Sequence, residues 1–173
     1  MVQIFEELIV GLISGIVASF AFFIMLRLWL PRLSISAEIA KEQLGGKQHF
    51  TFKIVNKSRR ALINVHVQAQ LAELKGAEGG QLFVTHAIPI KRDRVFHVGG
   101  FSRRDIRADY AIRFATEQDI EAMWVDESAL VRFRVIATDE ISGLSRAFLK
   151  EFHTKRHCIK SGSHGFGSSL SVT

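Results

Sequence analysis

The residues best suited by type to do chemistry stand together near one end of this 173-residue chain: His153, His157 and Cys158. Imidazole nitrogens and thiolate sulfurs bind zinc, and a Cys–His pair can also act as a nucleophile with its base. His153 and His157 have His-x-x-x-His spacing, which brings two ligands to one side only on a helix. "EFHTKRHCIK" reads as strand or loop, where the two rings stand apart. His157 and Cys158 are neighbours and would point to opposite faces of a strand. No Cys-x-x-Cys element supplies further ligands. The chain has a single cysteine and so cannot form an internal disulfide, which suits a reducing compartment.

Other chemical signatures are missing. Asp126–Glu127 and Asp139–Glu140 are acidic pairs in turn-like stretches, where solvated charge is the ordinary role. "GSHGFG" is glycine-rich, but no strand-then-helix context surrounds it, so a phosphate-cradling loop is not expected. There is no G-x-S-x-G, no G-x-x-x-x-G-K-[ST] and no H-E-x-x-H. The expectation is a protein without catalytic residues, metal or cofactor, and not an enzyme.

The strongest pattern lies at the other end. Leu8 to Leu26 is a run of nineteen residues without a charge. At about 1.5 Å per residue, a helix of that length covers roughly 28 Å, close to the hydrocarbon thickness of a bilayer. A buried soluble helix rarely runs so far without a charge. A cleaved signal peptide wants a basic n-region and a small-residue cleavage site. Here Glu6 and Glu7 precede the run and "MLRLWLPRL" follows it, so an uncleaved single span fits better. Pro31 limits the helix, and Trp29 suits the headgroup level.

Arg27 and Arg32 follow the span, which places the N-terminus outside and the rest in the cytosol, at an inner (plasma) membrane. These two arginines are also the candidate contacts with anionic lipid, each charge near the surface being worth about 1 kcal/mol. Within the span, Gly11, Gly15 and Ser19 recur every four residues and form a ridge without bulk. Small residues let helix backbones approach in lipid. Gly11, Gly15 and Ser19 are therefore the candidate helix-packing residues, with Ser14 beside them as a hydrogen-bonding group across the contact.

All 23 basic residues lie after Leu26, and two of the 17 acidic ones, Glu6 and Glu7, lie before it, so the remainder carries a formal excess of eight positive charges. That suits an anionic membrane face or a small anionic ligand. The basic residues come in small groups, such as Lys57, Arg59 and Arg60 or Lys91, Arg92 and Arg94. They are too dispersed to predict a nucleic-acid partner.

Past the span the pattern is that of strands. In "HFTFKIVN", Phe50, Phe52 and Ile54 alternate with Thr51, Lys53 and Val55. In "ALINVHVQAQL", Ile63, Val65, Val67, Ala69 and Leu71 line one face and Asn64, His66, Gln68 and Gln70 the other. "KGAEGG" breaks the chain, and "QLFVTHAIPI" reads as an edge strand because of Pro89. In "TEQDIEAMW" Thr116 caps a short helix with Asp119 near its positive end. "ALVRFRVIATD" alternates Val131, Phe133 and Val135 with arginines, "EISG" turns, and "LSRAFLKEF" returns. "SGSHGFGSSLSVT" reads as a mostly flexible tail, with Phe166 and Leu170 as anchors. Many short strands with one short helix predict a mainly β protein, a β-sandwich preceded by a transmembrane α-helix. The divisions are an anchor over 1–32, a cytosolic sandwich over 33–160 and a Gly/Ser-rich tail over 161–173.

Several of these stretches resemble the cytoplasmic domain of inward-rectifier potassium channels, especially the bacterial ones. "FTFKIVNKSRR" carries that family's Phe-x-x-x-Asn-x-x-Arg pattern before a long alternating strand. "IPIKRDRVFHV", "TEQDIEAMW" and "VIATDEISGLSRAFLKEF" are similar to its next strand and loop, its short helix, and its acidic hairpin. "IKSGSHGF" falls where its last strand would lie. The resemblance covers roughly residues 48 to 170 and implies an immunoglobulin-like sandwich that assembles as a tetramer. The family's T-V-G-Y-G-type filter is missing and there is one span, so a potassium-selective pore is not expected.

Two functional readings follow. In the first, a single-pass membrane protein carries a cytosolic sensory or assembly domain that self-associates and binds a ligand or protein partner. In the second, a membrane effector is gated by a small anionic, nucleotide-like signal and permeabilises the bilayer.

Overall fold

A computed structural model describes residues 2–77 and 80–173 of the chain, in two compact units, Met1–Leu30 and Pro31–Thr173. The first unit is helix α1 (Val2–Trp29). Its described side chains from Ile9 to Met25 are all exposed. A helix apolar on every side has no polar face to offer water. Within it, Ile9–Trp29 is long and apolar enough to cross a membrane. The helix ends two residues before Pro31, whose ring disfavours helical backbone at Leu30.

The second unit is a β-sandwich. Its first sheet contains β1 (Leu33–Ile35), β2 (Ile39–Leu44), β3 (Lys47–Asn56), β7 (Ala111–Thr116) and β10 (Ile159–Ser161). The second contains β4 (Leu62–Ala77), β5 (Gly80–Ile88), β6 (Arg94–Val98), β8 (Leu130–Asp139) and β9 (Ser145–Phe152). The short helices α2 (Ile120–Met123) and α3 (Lys155–Cys158) lie between strands. In the first sheet β3 is central: β1 and β2 pair along one side of it and β7 along the other, all antiparallel. In the second sheet β4 is central, with β8 on one side and β5 and β6 sharing the other. Strand β9 completes that sheet beyond β8. Pro89 follows β5 at the sheet's edge, as expected. Glu78 and Gly79, part of the expected turn "KGAEGG", lie outside the described residues.

The two inner faces meet through phenylalanine rings. Phe52 of β3 stacks on Phe133 of β8 with centroids 4.5 Å apart and planes 4° from parallel. Phe152 and Phe114 complete the cluster around them. Val65, Val67, Ala69, Leu71, Val131 and Val135 fill the rest, as their alternation predicts.

Four local expectations are corrected. Ile63 does not share the core face; Leu62 does. The cause is a β-bulge between Ile63 and His66, where Asn64 and Val65 oppose the single residue Ala137 and Asn64 adopts φ 50°. The extra residue reverses the side-chain alternation before it. Helix α2 is capped by Asp119, whose carboxylate accepts from the Ala122 N–H, and not by Thr116, which ends β7. The segment around His157 and Cys158 includes a helical turn, α3, instead of only strand or loop.

The fourth correction concerns residues 161–173, which are folded onto the sandwich. Thr51, Lys53 and Val55 of β3 are buried although they point away from the phenylalanine core. Leu170 packs near Val55, Ala108 and Tyr110, whereas Phe166 is exposed. The Ser36 hydroxyl donates to the Leu170 carbonyl at 2.7 Å, and the Val172 N–H donates to Glu38 at 2.8 Å.

Candidate functional site

The sequence-derived site residues fall in both units. Gly11, Gly15 and Ser19 line one side of α1 together with Leu12, Ile16 and Phe20. A Cβ added at Gly11 or Gly15 would meet nothing within 4 Å, so the ridge is open along its length. The Ser14 hydroxyl donates to the Gly11 carbonyl at 3.0 Å, and the Ser19 hydroxyl to the Gly15 carbonyl at 2.8 Å. Both hydroxyl protons are therefore spent within the helix, and each oxygen keeps only its lone pairs for a partner. Arg27 stands in the last turn of α1, where a cation complements the helix dipole. Arg32 belongs to the second unit; its side chain is exposed, and its backbone is held by Ser58 and Lys57.

His157 and Cys158 are in α3 while His153 precedes it, exposed and 3.9 Å from Glu151. Cys158 is half-buried against the core. Among the described residues no three His, Cys, Asp or Glu side chains gather as a metal-binding group.

Two polar sites in the sandwich went unread in the sequence. The first is the seam under the C-terminal segment. Lys53 is 2% exposed, and its ammonium donates to the carbonyls of Gly165 at 2.5 Å and Ser169 at 2.7 Å. Arg113 donates to the His164 carbonyl. The buried His164 ring places Nε2 3.1 Å from the Thr51 carbonyl, and its Nδ1 has no partner. Burial, then Arg113 and Lys57, lower the Lys53 pKa to about 8. Burial first, with help from Lys53 and Arg113, lowers that of His164 against the pull of Thr51 and Glu42. Nearby in role is Asp139, wholly buried at the end of β8. It accepts from Arg60 Nε at 2.7 Å and from the Ser142 N–H at 2.9 Å, closing the expected hairpin turn. Burial pushes its carboxyl up, but the bonds from Ser142 and Arg60 outweigh that and hold it below the usual range.

The second is a groove of about 460 Å³ beside the β4 bulge, lined by Asn64, His66, Arg94, Phe96 and Ile136 over Val65 and Val95. Phe96 is 86% exposed and Ile136 39%. His66 Nδ1 is buried without a hydrogen bond, and its nearest acid is Asp93 at 3.8 Å. The one sequence signal was the group Lys91, Arg92 and Arg94, because the bulge itself leaves no composition mark beyond an Asn tolerant of positive φ.

No family model matches the chain, and no curated protein matches it. The chain is similar to a solved structure, the X-ray structure of Northeast Structural Genomics Consortium target SoR45. That match has 13% identity and a TM-score of 0.33, and it covers 78% of this chain and 95% of the other.

Proposed function

We propose that the chain is a single-pass membrane protein whose β-sandwich is a cytosolic sensory or assembly domain that self-associates and binds a ligand or partner. The observation that carries this reading is Ile9–Trp29: the segment is long enough to span, apolar on every side, and none of it is buried. The sandwich has a complete aromatic core of its own, so nothing in it requires α1 as a core helix. Arg27 and Arg32 support an inner-membrane orientation with the N-terminus out, and contact with anionic lipid. The open Gly11–Gly15–Ser19 ridge supports homo-oligomers through the span. The inward-rectifier resemblance makes a tetramer the number to test first.

Orientation is read by thiol labelling. In a Cys158→Ser background, an exposed Glu127→Cys should resist a membrane-impermeant maleimide in intact cells and react after permeabilisation. Labelling in intact cells refutes the topology. Replacing Gly11 and Gly15 with Leu should reduce cross-linked oligomers in bilayers. Full-size oligomers after both changes would assign assembly to the sandwich. The membrane-effector reading predicts dye release from vesicles carrying the purified chain, whereas the sensory reading predicts none.

A further inference from the structure

We propose that the groove at the β4 bulge binds a small amphipathic carboxylate, its head on Arg94 and His66 and its apolar body against Phe96 and Ile136. This deepens the ligand-binding reading above by giving it a site and a ligand class. Three independent features converge there. The backbone is irregular: Asn64 sits at φ 50° in a bulge that bends the central strand of its sheet. Residues held in sparsely populated conformations cluster at binding sites, where the surrounding fold sustains the strain. The polar groups are unfinished: His66 Nδ1 is buried with no hydrogen bond, and the exposed Arg94 makes no ion pair among the described residues. A buried imidazole nitrogen without a partner is costly, and a ligand oxygen or N–H would complete it. The apolar wall is open to water: Phe96 is 86% exposed beside a half-exposed Ile136. The volume, about 460 Å³, suits a small organic molecule.

Charge chooses the head group. Arg94 presents a planar fork that matches a carboxylate through two parallel N–H···O bonds. Arg94 is the one arginine or lysine among the described residues that line the groove. One guanidinium matches the single charge of a carboxylate, whereas a dianionic phosphate would carry a second charge that no other arginine or lysine of the groove meets. The occupant is therefore a carboxylate with an aromatic or aliphatic body.

The test uses the full chain in non-ionic detergent and follows the His66 ring signals by NMR, assigned with His66→Gln. The probes are 3-phenylpropionate, the uncharged 3-phenylpropionamide and inorganic phosphate. Expected are saturable shifts with 3-phenylpropionate, at least about tenfold weaker binding of the amide, and no competition from equimolar phosphate. Arg94→Gln should weaken the carboxylate about tenfold and leave the amide unchanged, and Phe96→Ser should weaken both. Both side chains are exposed, and the spectrum of each variant reports that the sandwich is intact. No saturable shift, equal binding of acid and amide, phosphate competition, or an Arg94→Gln chain that binds normally would each overturn the proposal. The labelling and cross-linking experiments above read different parts of the chain, so failure here leaves them standing.

Discussion

Replacing Lys53 with Met tests the seam that holds the C-terminal segment. The ammonium is buried and satisfies two backbone carbonyls, but its pKa is lowered from 10.5 to about 8. A lysine whose folded pKa lies below its unfolded value is penalised while charged, and the penalty lifts as pH rises through the folded pKa towards the unfolded one. At about 1.4 kcal/mol per unit, that shift means a gain of about 1.4 kcal/mol by pH 9 and about 3 kcal/mol by pH 10.5, relative to pH 7. A neutral amine still donates to Gly165 and Ser169, so the seam stays closed. Lys53→Met removes the titration and the penalty together, but leaves two carbonyls without a donor at about 1–3 kcal/mol each. The two effects largely offset at pH 7, so the net change there is small and the pH dependence decides. The assay is guanidinium unfolding of the full chain in non-ionic detergent, followed by the fluorescence of the buried Trp124. The difference between wild type and Lys53→Met should grow in favour of wild type from pH 7 to pH 10. A flat difference would show that Lys53 keeps an ordinary pKa and that the burial argument is wrong.

Three further outcomes follow from the same packing. His164 has a lowered pKa, so stability should fall as pH drops below the ordinary imidazole value of about 6.5, by at most about 1.4 kcal/mol per pH unit, and His164→Gln should flatten the curve just below that value. Phe133→Ala should cost about 3–5 kcal/mol in denaturant melts, because its ring is wholly buried and stacked on Phe52; a near-neutral result would place the core elsewhere. Asp139→Ala should cost about 1–3 kcal/mol and lower the Tm, since it strips the buried end of the hairpin turn of its acceptor and leaves the partly exposed Arg60 without that carboxylate; an unchanged Tm would make the pair dispensable.

The apolar helix and the alternation of β4 and β8 were legible because each rests on a period carried by many residues. Val131, Phe133 and Val135 are inward where the pattern put them. The role of residues 161–173 was not legible, because the segment is held by its own carbonyls meeting Lys53 and Arg113, and backbone groups are the same in every sequence. The cap of α2 was misread between two suitable residues three apart; β7 claims Thr116, which leaves Asp119 to start the helix. The bulge groove depends on residues from β4, β6 and β8 meeting at one irregular point. The sequence showed only the scattered basic group that contributes Arg94.

The bulge gives β4 two reading frames. From Val65 onward odd-numbered residues face the core, whereas before it Leu62 does. A one-residue deletion at Asn64 thus acts differently on the two strands that flank β4. It removes the extra residue opposite Ala137, so Leu62 stays inward with Val65 and in line with Asp139 on β8, but it moves Leu62 one place out of line with Val98 on β6. Substitutions across β4 can be exchanged between positions of equal parity only on the same side of that point. A chain that lost Asn64 would keep one alternation along β4 against β8 and would have to re-pair only β6.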